Sequence, residues 1–251
     1  MKMFNVCMAA LALGCMQLLS ATTPGAQAET QKHPHNLDAE RLEFLYQGYL
    51  MHNTCHPNSY IIPRNIHFIW LSNAPMPQKE KKIVQKWKQM HPGWTVKVWT
   101  QTNIHTLKTF NKTTKRAYQK AKSTEDKSRI LRYVVLNSLG GVYVDTNMEC
   151  HQTLDSLHRS SSCYAVRTAP EHKGTLSEDL IGSTPHHPIL QAYYKELLLE
   201  KDAGHAKVHS KKKHLALTRA FILLGQNYYG RIVPLPSHKS HSMAPVERSA
   251  N

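Results

Sequence analysis

The sequence predicts an α/β protein in which a mostly parallel central sheet is flanked by helices. Short apolar, β-branched segments alternate along the chain with longer segments of helical periodicity, which is the pattern of layered α/β domains. The clearest pair is a helix predicted at 123–139 and a strand that follows it directly at 142–144. The length of 251 residues suits one such domain with a large core, or at most two small ones.

The remaining elements can be placed in order along the chain. The predicted strands are short and rich in β-branched and aromatic residues, and they lie at 60–71, 94–99 and 142–144. The predicted helices carry apolar residues on one face, and they lie at 41–51, 78–90, 123–139 and 188–199.

The helix at 123–139 has recognisable signals at both ends. Ser123 and Asp126 have the spacing of a capping box at its start. Gly140-Gly141 follows its last apolar residue, where glycine suits the left-handed conformation that ends many helices. The strand at 142–144 must therefore begin almost immediately after the helix.

The first residues resemble a targeting segment. Lys2 precedes an apolar run from Val6 to Leu19, and Ala26-Gln27-Ala28 has the small-residue pattern of a cleavage site. We expect a signal peptide at 1–28; an uncleaved membrane anchor and a lipoprotein signal are the alternatives. Four segments follow from this reading, and they are the signal peptide at 1–28, a lead-in with a short helix at 29–58, the main domain at 59–236 and a flexible tail at 237–251.

The chain is strongly basic. It has 32 Lys and Arg against 17 Asp and Glu, a formal net charge of +15. Such a surface attracts phosphates, nucleic acid or anionic lipid, although a simply solvated basic face has the same composition. A nucleic-acid-binding protein is therefore one hypothesis, but no recognised nucleic-acid motif is present, and we expect no specific nucleic-acid partner.

Asp145 stands where an open α/β sheet binds its ligand. It follows the apolar strand at 142–144, and such sheets bind ligands at the carboxyl ends of their strands. A carboxylate beside an apolar strand needs a cation or hydrogen-bond donors as partners. A divalent metal that bridges to a diphosphate would be such a cation. An aspartate that only caps a turn after a strand is the simpler alternative.

Residues 123–149, STEDKSRILRYVVLNSLGGVYVDTNME, resemble the sugar-binding signature of glycosyltransferase family 32. That family includes yeast-type mannosyltransferases, and the glucosyltransferase domains of clostridial toxins are its relatives. Its pattern is Ser-Asp-x-x-Arg-Tyr, a helix, Gly-Gly-x-Tyr and then Asp-x-Asp. The upstream segments IIPRNIHFIW and HPGWTVKVW, and a loop at 183–188 before a helix, match in the same order.

The resemblance implies a GT-A fold with a Rossmann-type sheet and the transfer of a sugar, with retention, from a nucleotide-sugar donor (a UDP- or GDP-sugar) to a protein or glycan acceptor. Trp70 falls on the aromatic residue that stacks on the donor base, and Arg132 on an arginine that faces the donor. Asp145 falls on the first motif aspartate, which serves the ribose and the metal. Asp145 and Asn147 are thus the expected ligands of Mn²⁺ or Mg²⁺, and Asp145, Asn147 and Arg132 the expected catalytic residues.

Two positions depart from the family pattern. Asn147 replaces the last aspartate of Asp-x-Asp, and Arg129 replaces the aspartate three residues before Arg132. In one interpretation, Arg129 and Arg132 jointly neutralise the donor diphosphate, so that a metal binds weakly or is dispensable. In the other, the site has decayed and the protein only binds a sugar nucleotide or glycan.

A signal peptide would export the protein, whereas nucleotide sugars are cytosolic or Golgi metabolites. We therefore expect either a secreted protein, such as a bacterial effector delivered into a host cell, or a Golgi enzyme held by an uncleaved anchor. After cleavage of the signal, the chain is expected to have no stable membrane span.

Overall fold

A computed structural model describes the chain at residues 34–52, 59–107, 110–168, 174–202, 215–228 and 230–236. The predicted signal peptide at 1–28, part of the lead-in and the predicted tail at 237–251 lie outside the described residues, as does Cys55. Among the described residues, no helix is both long and apolar enough to cross a membrane.

Within the described residues, six strands form one mixed sheet. In chain order they are β1 (Asn65–Ile69), β2 (Thr95–Trp99), β3 (Gly141–Val144), β4 (Cys163–Arg167), β5 (Leu176–Ser183) and β6 (Ile232–Leu235). Their order across the sheet is β2-β1-β3-β5-β4-β6. β1 is parallel to β2 and β3, and β4 is parallel to β6, whereas β5 runs antiparallel to both of its neighbours. The predicted mostly parallel sheet is confirmed, and β5 is its one reversed strand.

Seven helices of the described residues cover the sheet. They are α1 (Pro34–His52), α2 (Gln78–Met90), α3 (Lys112–Lys120), α4 (Thr124–Leu139), α5 (Asp155–Ser160), α6 (Pro188–Asp202) and α7 (Leu215–Leu224). Alternate residues of each strand point to opposite faces. One face packs on α3, α4, α6 and α7, and the other on α2 and α5, while α1 contributes to both layers.

The connection from α4 to β3 is as tight as its sequence predicts. The Ser123 hydroxyl accepts a hydrogen bond from the Asp126 amide at 3.0 Å and caps the start of α4. Gly140 and Gly141 have φ values of +60° and +100° at its end. A side chain could not fit at Gly141, since a Cβ there would lie 2.4 Å from the Asn65 carbonyl oxygen of β1.

A buried histidine holds this connection against the sheet. The Trp99 indole donates to His67 Nδ1 at 3.2 Å, so the proton of the neutral ring is on Nε2 and points to the Gly140 carbonyl at 2.8 Å. Burial lowers the pKa of His67 to about 4, which keeps the ring neutral. One side chain of β1 thereby fixes the end of α4 and, with it, the start of β3.

Several elements differ from their predicted bounds. β1 begins only at Asn65, because Pro63 has no amide hydrogen to donate to a neighbouring strand. α1 extends well before the predicted residue 41. α3 was not predicted, although Asn111 caps it by accepting from two amides, those of Thr113 and Thr114.

The two described cysteines are free. Cys150 and Cys163 are both buried, and they belong to the hydrophobic clusters on opposite faces of the sheet. Burial raises the pKa of the Cys163 thiol to about 12, as expected of a cysteine in an apolar core. The two thiols are therefore part of the packing of the domain.

Replacing Gly141 by alanine should destabilise the fold. We expect Gly141→Ala to lower the free energy of unfolding by at least about 2 kcal/mol, because a left-handed backbone and a backbone clash add together. Gly93→Ala is the matched control: Gly93 also has a positive φ of +78°, but its nearest atom would be Arg64 Nη1 at 3.7 Å. Urea unfolding measures both variants, and equal midpoints would contradict the assignment of a backbone clash to Gly141.

Candidate functional site

Two of the predicted site residues lie just beyond neighbouring parallel strands. Trp70 follows β1 and Asp145 follows β3, and both are half-buried. The register pairs Ile66 with Val142, so the two strands end side by side at the carboxyl edge of the sheet. The Trp70 indole donates to the Ala74 carbonyl oxygen at 2.9 Å, which fixes the ring within the loop that leads to α2.

The Asp145 carboxylate is held from two sides. Its Oδ1 accepts from the backbone amide of Asn147 at 3.0 Å, and its Oδ2 accepts from the Tyr143 hydroxyl at 3.3 Å. The backbone amide of Asp145 donates to the Asp179 carbonyl oxygen of β5 at 2.8 Å. The Asn147 residue itself is exposed. This turn therefore orients the Asp145 carboxylate at the carboxyl edge of the sheet, which we call the rim. The exposed side-chain amide of Asn147 lies beside it.

A carboxylate that the sequence reasoning missed lies behind this rim. Glu178 belongs to β5 and is only 3% exposed. The pairing of β5 with β4 shifts at this point, since Ala165 pairs with Ile181 but Val166 pairs with Ser177. Residues 178–180 are thus left over as a bulge, which is a common way to redirect a side chain next to a functional site.

Glu178 accepts hydrogen bonds from both arginines of α4. Its Oε2 accepts from Arg129 Nε at 2.8 Å and from Arg132 Nη1 at 3.0 Å, and its Oε1 accepts from Arg129 Nη2 at 2.7 Å. Arg129 and Arg132 are 5% and 7% exposed. Two positive charges and one negative charge therefore share a dry site, with a net charge of +1.

The ionisation of this cluster is set by its own charges. Burial alone would raise the pKa of Glu178, but the hydrogen bonds and charge of Arg129, with the charge of Arg132, hold that pKa below its usual value. Burial likewise acts to lower the pKa of Arg132, and the neighbouring Tyr143 and Glu178 raise it above its ordinary range. All three groups are charged at neutral pH.

Arg132 also connects the buried cluster to the rim. Its guanidinium carbon lies 4.5 Å from the centre of the Tyr143 ring, the distance of a cation–π contact. Burial raises the pKa of Tyr143 to about 12, so its hydroxyl keeps the proton that it donates to Asp145. A continuous path of contacts therefore runs from Glu178 through Arg132 and Tyr143 to Asp145.

The structure thus brings the predicted residues into two groups. Trp70, Asp145 and Asn147 lie on the carboxyl edge, and Arg129 and Arg132 lie beneath it on Glu178. Neither arginine belongs to the predicted apolar stripe of the helix, and only the structure shows that both are buried, so the sequence contained no indication of the missing acid.

The predicted metal ligands meet only part of what a divalent ion requires. No group of three or more His, Cys, Asp or Glu side chains with metal-binding geometry occurs among the described residues. Asp145 and the amide oxygen of Asn147 are hard oxygen ligands, but together they bring one negative charge. These residues fit Mg²⁺ or Mn²⁺ if donor phosphates and water complete its coordination.

Comparison with known proteins identifies the region that contains this site. Residues 77–164 match the family model of the glycosyltransferase sugar-binding region containing a DXD motif. The chain is 30% identical over 146 residues to mannosyl phosphorylinositol ceramide synthase CSH1 of Saccharomyces cerevisiae. The matched region covers 55% of this chain and 35% of that protein. It is 30% identical over 144 residues to inositol phosphoceramide mannosyltransferase 2 of Schizosaccharomyces pombe, covering 57% of this chain and 40% of the relative. The chain spans well under half the length of either relative.

A solved structure confirms the predicted fold. PaToxG glycosyltransferase superposes with a TM-score of 0.55 at 16% identity, over 86% of this chain and 91% of that one. At that identity the likeness concerns the fold, and it confirms the predicted GT-A type of α/β architecture.

Removing the charge of Glu178 should destabilise the protein in a pH-dependent way. We expect Glu178→Gln to lower the free energy of unfolding at pH 7 by about 3–5 kcal/mol, because two buried guanidinium groups lose their anion. Glu178 has a folded pKa below its unfolded value, so its contribution is present above about pH 4.5 and is lost as the pH falls through the folded value. The difference between the variant and the wild type should therefore shrink in acid.

Urea unfolding at several pH values measures this difference. Glu196→Gln is the control, since Glu196 pairs with the exposed Arg219 at 3.3 Å, and such surface pairs contribute at most about 1 kcal/mol. A Glu178→Gln variant as stable as the control variant would show that the buried cluster carries no net charge interaction.

Proposed function

We propose that this chain, whose residues 77–164 match the family model of the glycosyltransferase sugar-binding region containing a DXD motif, transfers a sugar from a nucleoside-diphosphate sugar to an acceptor. The observation that carries the proposal is the Asp145 carboxylate. It lies within the matched region, at the carboxyl edge of β3, and is oriented by the Tyr143 hydroxyl and the Asn147 amide. An open α/β sheet binds its ligands at this edge.

The donor would be held on both sides of Asp145. Trp70, on the neighbouring strand end, offers an aromatic face for the base, and Asp145 offers a hydrogen-bond acceptor for the ribose. Arg132 Nε is buried and has no hydrogen-bond partner. An unmade bond of this kind costs about 1–3 kcal/mol, and a phosphate oxygen of a bound donor would supply the missing acceptor.

The two arginines would then act differently on the diphosphate. The Arg129 guanidinium makes two hydrogen bonds to Glu178, so it contributes through the net charge of the cluster. Arg132 is the arginine that reaches Tyr143 and the rim. A net charge of +1 just beneath the diphosphate stabilises the negative charge that develops on the leaving group during transfer.

A divalent cation fits the same site as a second source of positive charge. Asp145 and Asn147 would hold Mg²⁺ or Mn²⁺ together with the donor phosphates, and the ion would act as a Lewis acid toward the leaving diphosphate. With asparagine in place of the second aspartate, we expect weak binding of the ion. The buried arginines provide part of the same stabilisation, so the metal can be dispensable.

The acceptor and the stereochemistry belong to the proposal as well. We propose transfer with retention to a protein or glycan acceptor. The two yeasts' relatives are named for mannosyl transfer to inositol phosphoceramide, so an inositol phospholipid and mannose donors also belong in the acceptor and donor screens. An inactive protein that only binds a sugar nucleotide is the second candidate, favoured by the departures at Asn147 and Arg129.

The place of action follows from the expected signal peptide. We propose that the protein is exported and meets its donor in a compartment that contains nucleotide sugars. A bacterial effector inside a host cell meets this condition, and so does a Golgi enzyme held by an uncleaved anchor.

Substituting Asp145 should abolish donor binding. In a thermal screen of UDP- and GDP-sugars, the wild type should be stabilised by about 2.7 kcal/mol at a ligand concentration of 100 Kd, because the ligand binds only the folded state. Asp145→Ala should lose this stabilisation, and its rate of donor hydrolysis should fall by about 100-fold or more. Asp38→Ala is the control, as Asp38 is also half-buried but lies on α1.

Donor hydrolysis with and without EDTA measures the contribution of the metal in the same preparation. Binding of a nucleotide sugar without turnover under either condition would favour the inactive binding protein. If no nucleotide sugar stabilises the wild type, the proposed function is wrong.

A further inference from the structure

We propose that Glu178 is a positioning residue of the donor site, which holds the Arg132 guanidinium over Tyr143 and thereby orients the Asp145 carboxylate. The enzymatic part of this inference rests on the proposed function, whereas the path of contacts from Glu178 to Asp145 does not. Glu178 lies outside residues 77–164, so the match to the family model does not include it.

The first step is the fixing of Glu178 itself. Arg129 donates to both of its oxygens, from Nε at 2.8 Å and from Nη2 at 2.7 Å. This two-pronged geometry sets the plane of the carboxylate as well as its position. Leu176, two residues earlier on β5, packs in the same cluster as α4, so the alternation of the strand turns Glu178 toward that helix.

The second step is the set of contacts that connects Glu178 to Asp145 at the rim. Oε2 of Glu178 also accepts from Arg132 Nη1 at 3.0 Å, which places the guanidinium 4.5 Å from the Tyr143 ring centre. Tyr143 in turn donates to Asp145 Oδ2, while Oδ1 accepts from the Asn147 amide. If Glu178 loses its charge, Arg132 loses the anion that holds it in this position, and the order of Asp145 decreases.

The third argument concerns the departure from the family pattern at position 129. The pattern has an aspartate there, one helical turn before Arg132, where i,i+3 residues face each other. Arg129 removes that anion from α4, and Glu178 supplies one from β5. We infer that the carboxylate next to Arg132 has moved from the helix to the strand, and that Arg129 now serves to anchor it.

Energetics favour a positioning role over a purely stabilising one. Removing three charges from water is costly, and buried ion pairs can often be replaced by apolar groups without loss of stability. A cluster that is 3–7% exposed is therefore weak evidence for a gain in stability. Its position beneath Asp145 gives it a use that an apolar cluster could not provide.

The test restores the carboxylate to its family position. Glu178→Gln alone leaves two buried guanidinium groups without their anion and destabilises the fold, so two double variants are compared: Arg129→Asp with Glu178→Gln, and Arg129→Asn with Glu178→Gln. Aspartate and asparagine have the same shape, and only the first places an anion beside Arg132. The asparagine double variant keeps the net charge of +1 of the wild-type cluster, so charge balance alone would favour it.

Two measurements are made on both double variants and the wild type. The first is kcat/KM for donor hydrolysis, and the second is hydrogen exchange of the Asn147 amide without any donor, since that amide reports on the orientation of Asp145. We expect kcat/KM of the aspartate variant to exceed that of the asparagine variant by about 10- to 100-fold, since a displacement of about 1 Å can cost up to about 100-fold in rate. Exchange of the Asn147 amide should be slower in the aspartate variant.

Each outcome bears on one proposal. Equal kcat/KM and equal exchange in the two double variants would overturn the positioning role of Glu178. A wild type without turnover would overturn the proposed activity, and the exchange measurement would still decide whether Glu178 orders Asp145. A difference in exchange with no turnover would therefore support the path of contacts and contradict the enzyme.

Discussion

The site depends on one buried carboxylate placed between two guanidinium groups. Arg129 and Arg132 lie on the core-facing side of α4, where an unpaired positive charge would be prohibitively costly. Glu178 removes this cost by accepting three hydrogen bonds, and the cluster keeps a net charge of +1. Arg132 also lies over the Tyr143 ring, and Tyr143 donates to Asp145. The ion pairs that offset the burial of the two arginines therefore also determine where the Asp145 carboxylate lies.

The sheet topology makes this interaction possible. β3 ends at Val144 with its carboxyl end at the rim, and β5 runs antiparallel beside it, so the early residues of β5 reach the same edge. The register pairs Val144 with Leu180, and the Asp145 amide donates to the Asp179 carbonyl oxygen. A parallel strand in that place would bring its last residues to the rim instead. The one reversed strand of the sheet thus supplies Glu178. The tight α4–β3 connection fixes α4 and β3, the two elements that carry the arginines and lead to Asp145.

Much of this architecture could be predicted from the sequence, and the part that could not has a physical reason. Periodicity and capping placed α4 and β3 within a residue or two, because those signals are local. The strand at 176–183 was not predicted, since Ser, Glu and Asp are depleted in strands and its stability comes from its neighbours. The partner of Arg129 was missed for the same reason, because a contact across 49 residues leaves no local pattern. The direct donor contact predicted for Arg129 remains a prediction, and the structure shows Glu178 as its hydrogen-bond partner.

The central claim is that a nucleotide diphosphate binds at the rim formed by Asp145 over the buried cluster. The most direct test is backbone and indole NMR of the isotope-labelled protein, titrated with UDP and with GDP. The account predicts that the amides of residues 143–147 and the Trp70 indole shift together with a single binding constant. Shifts confined to another surface, such as the groove that Phe44 and Leu223 line between α1 and α7, would contradict it, as would the absence of any saturable shift.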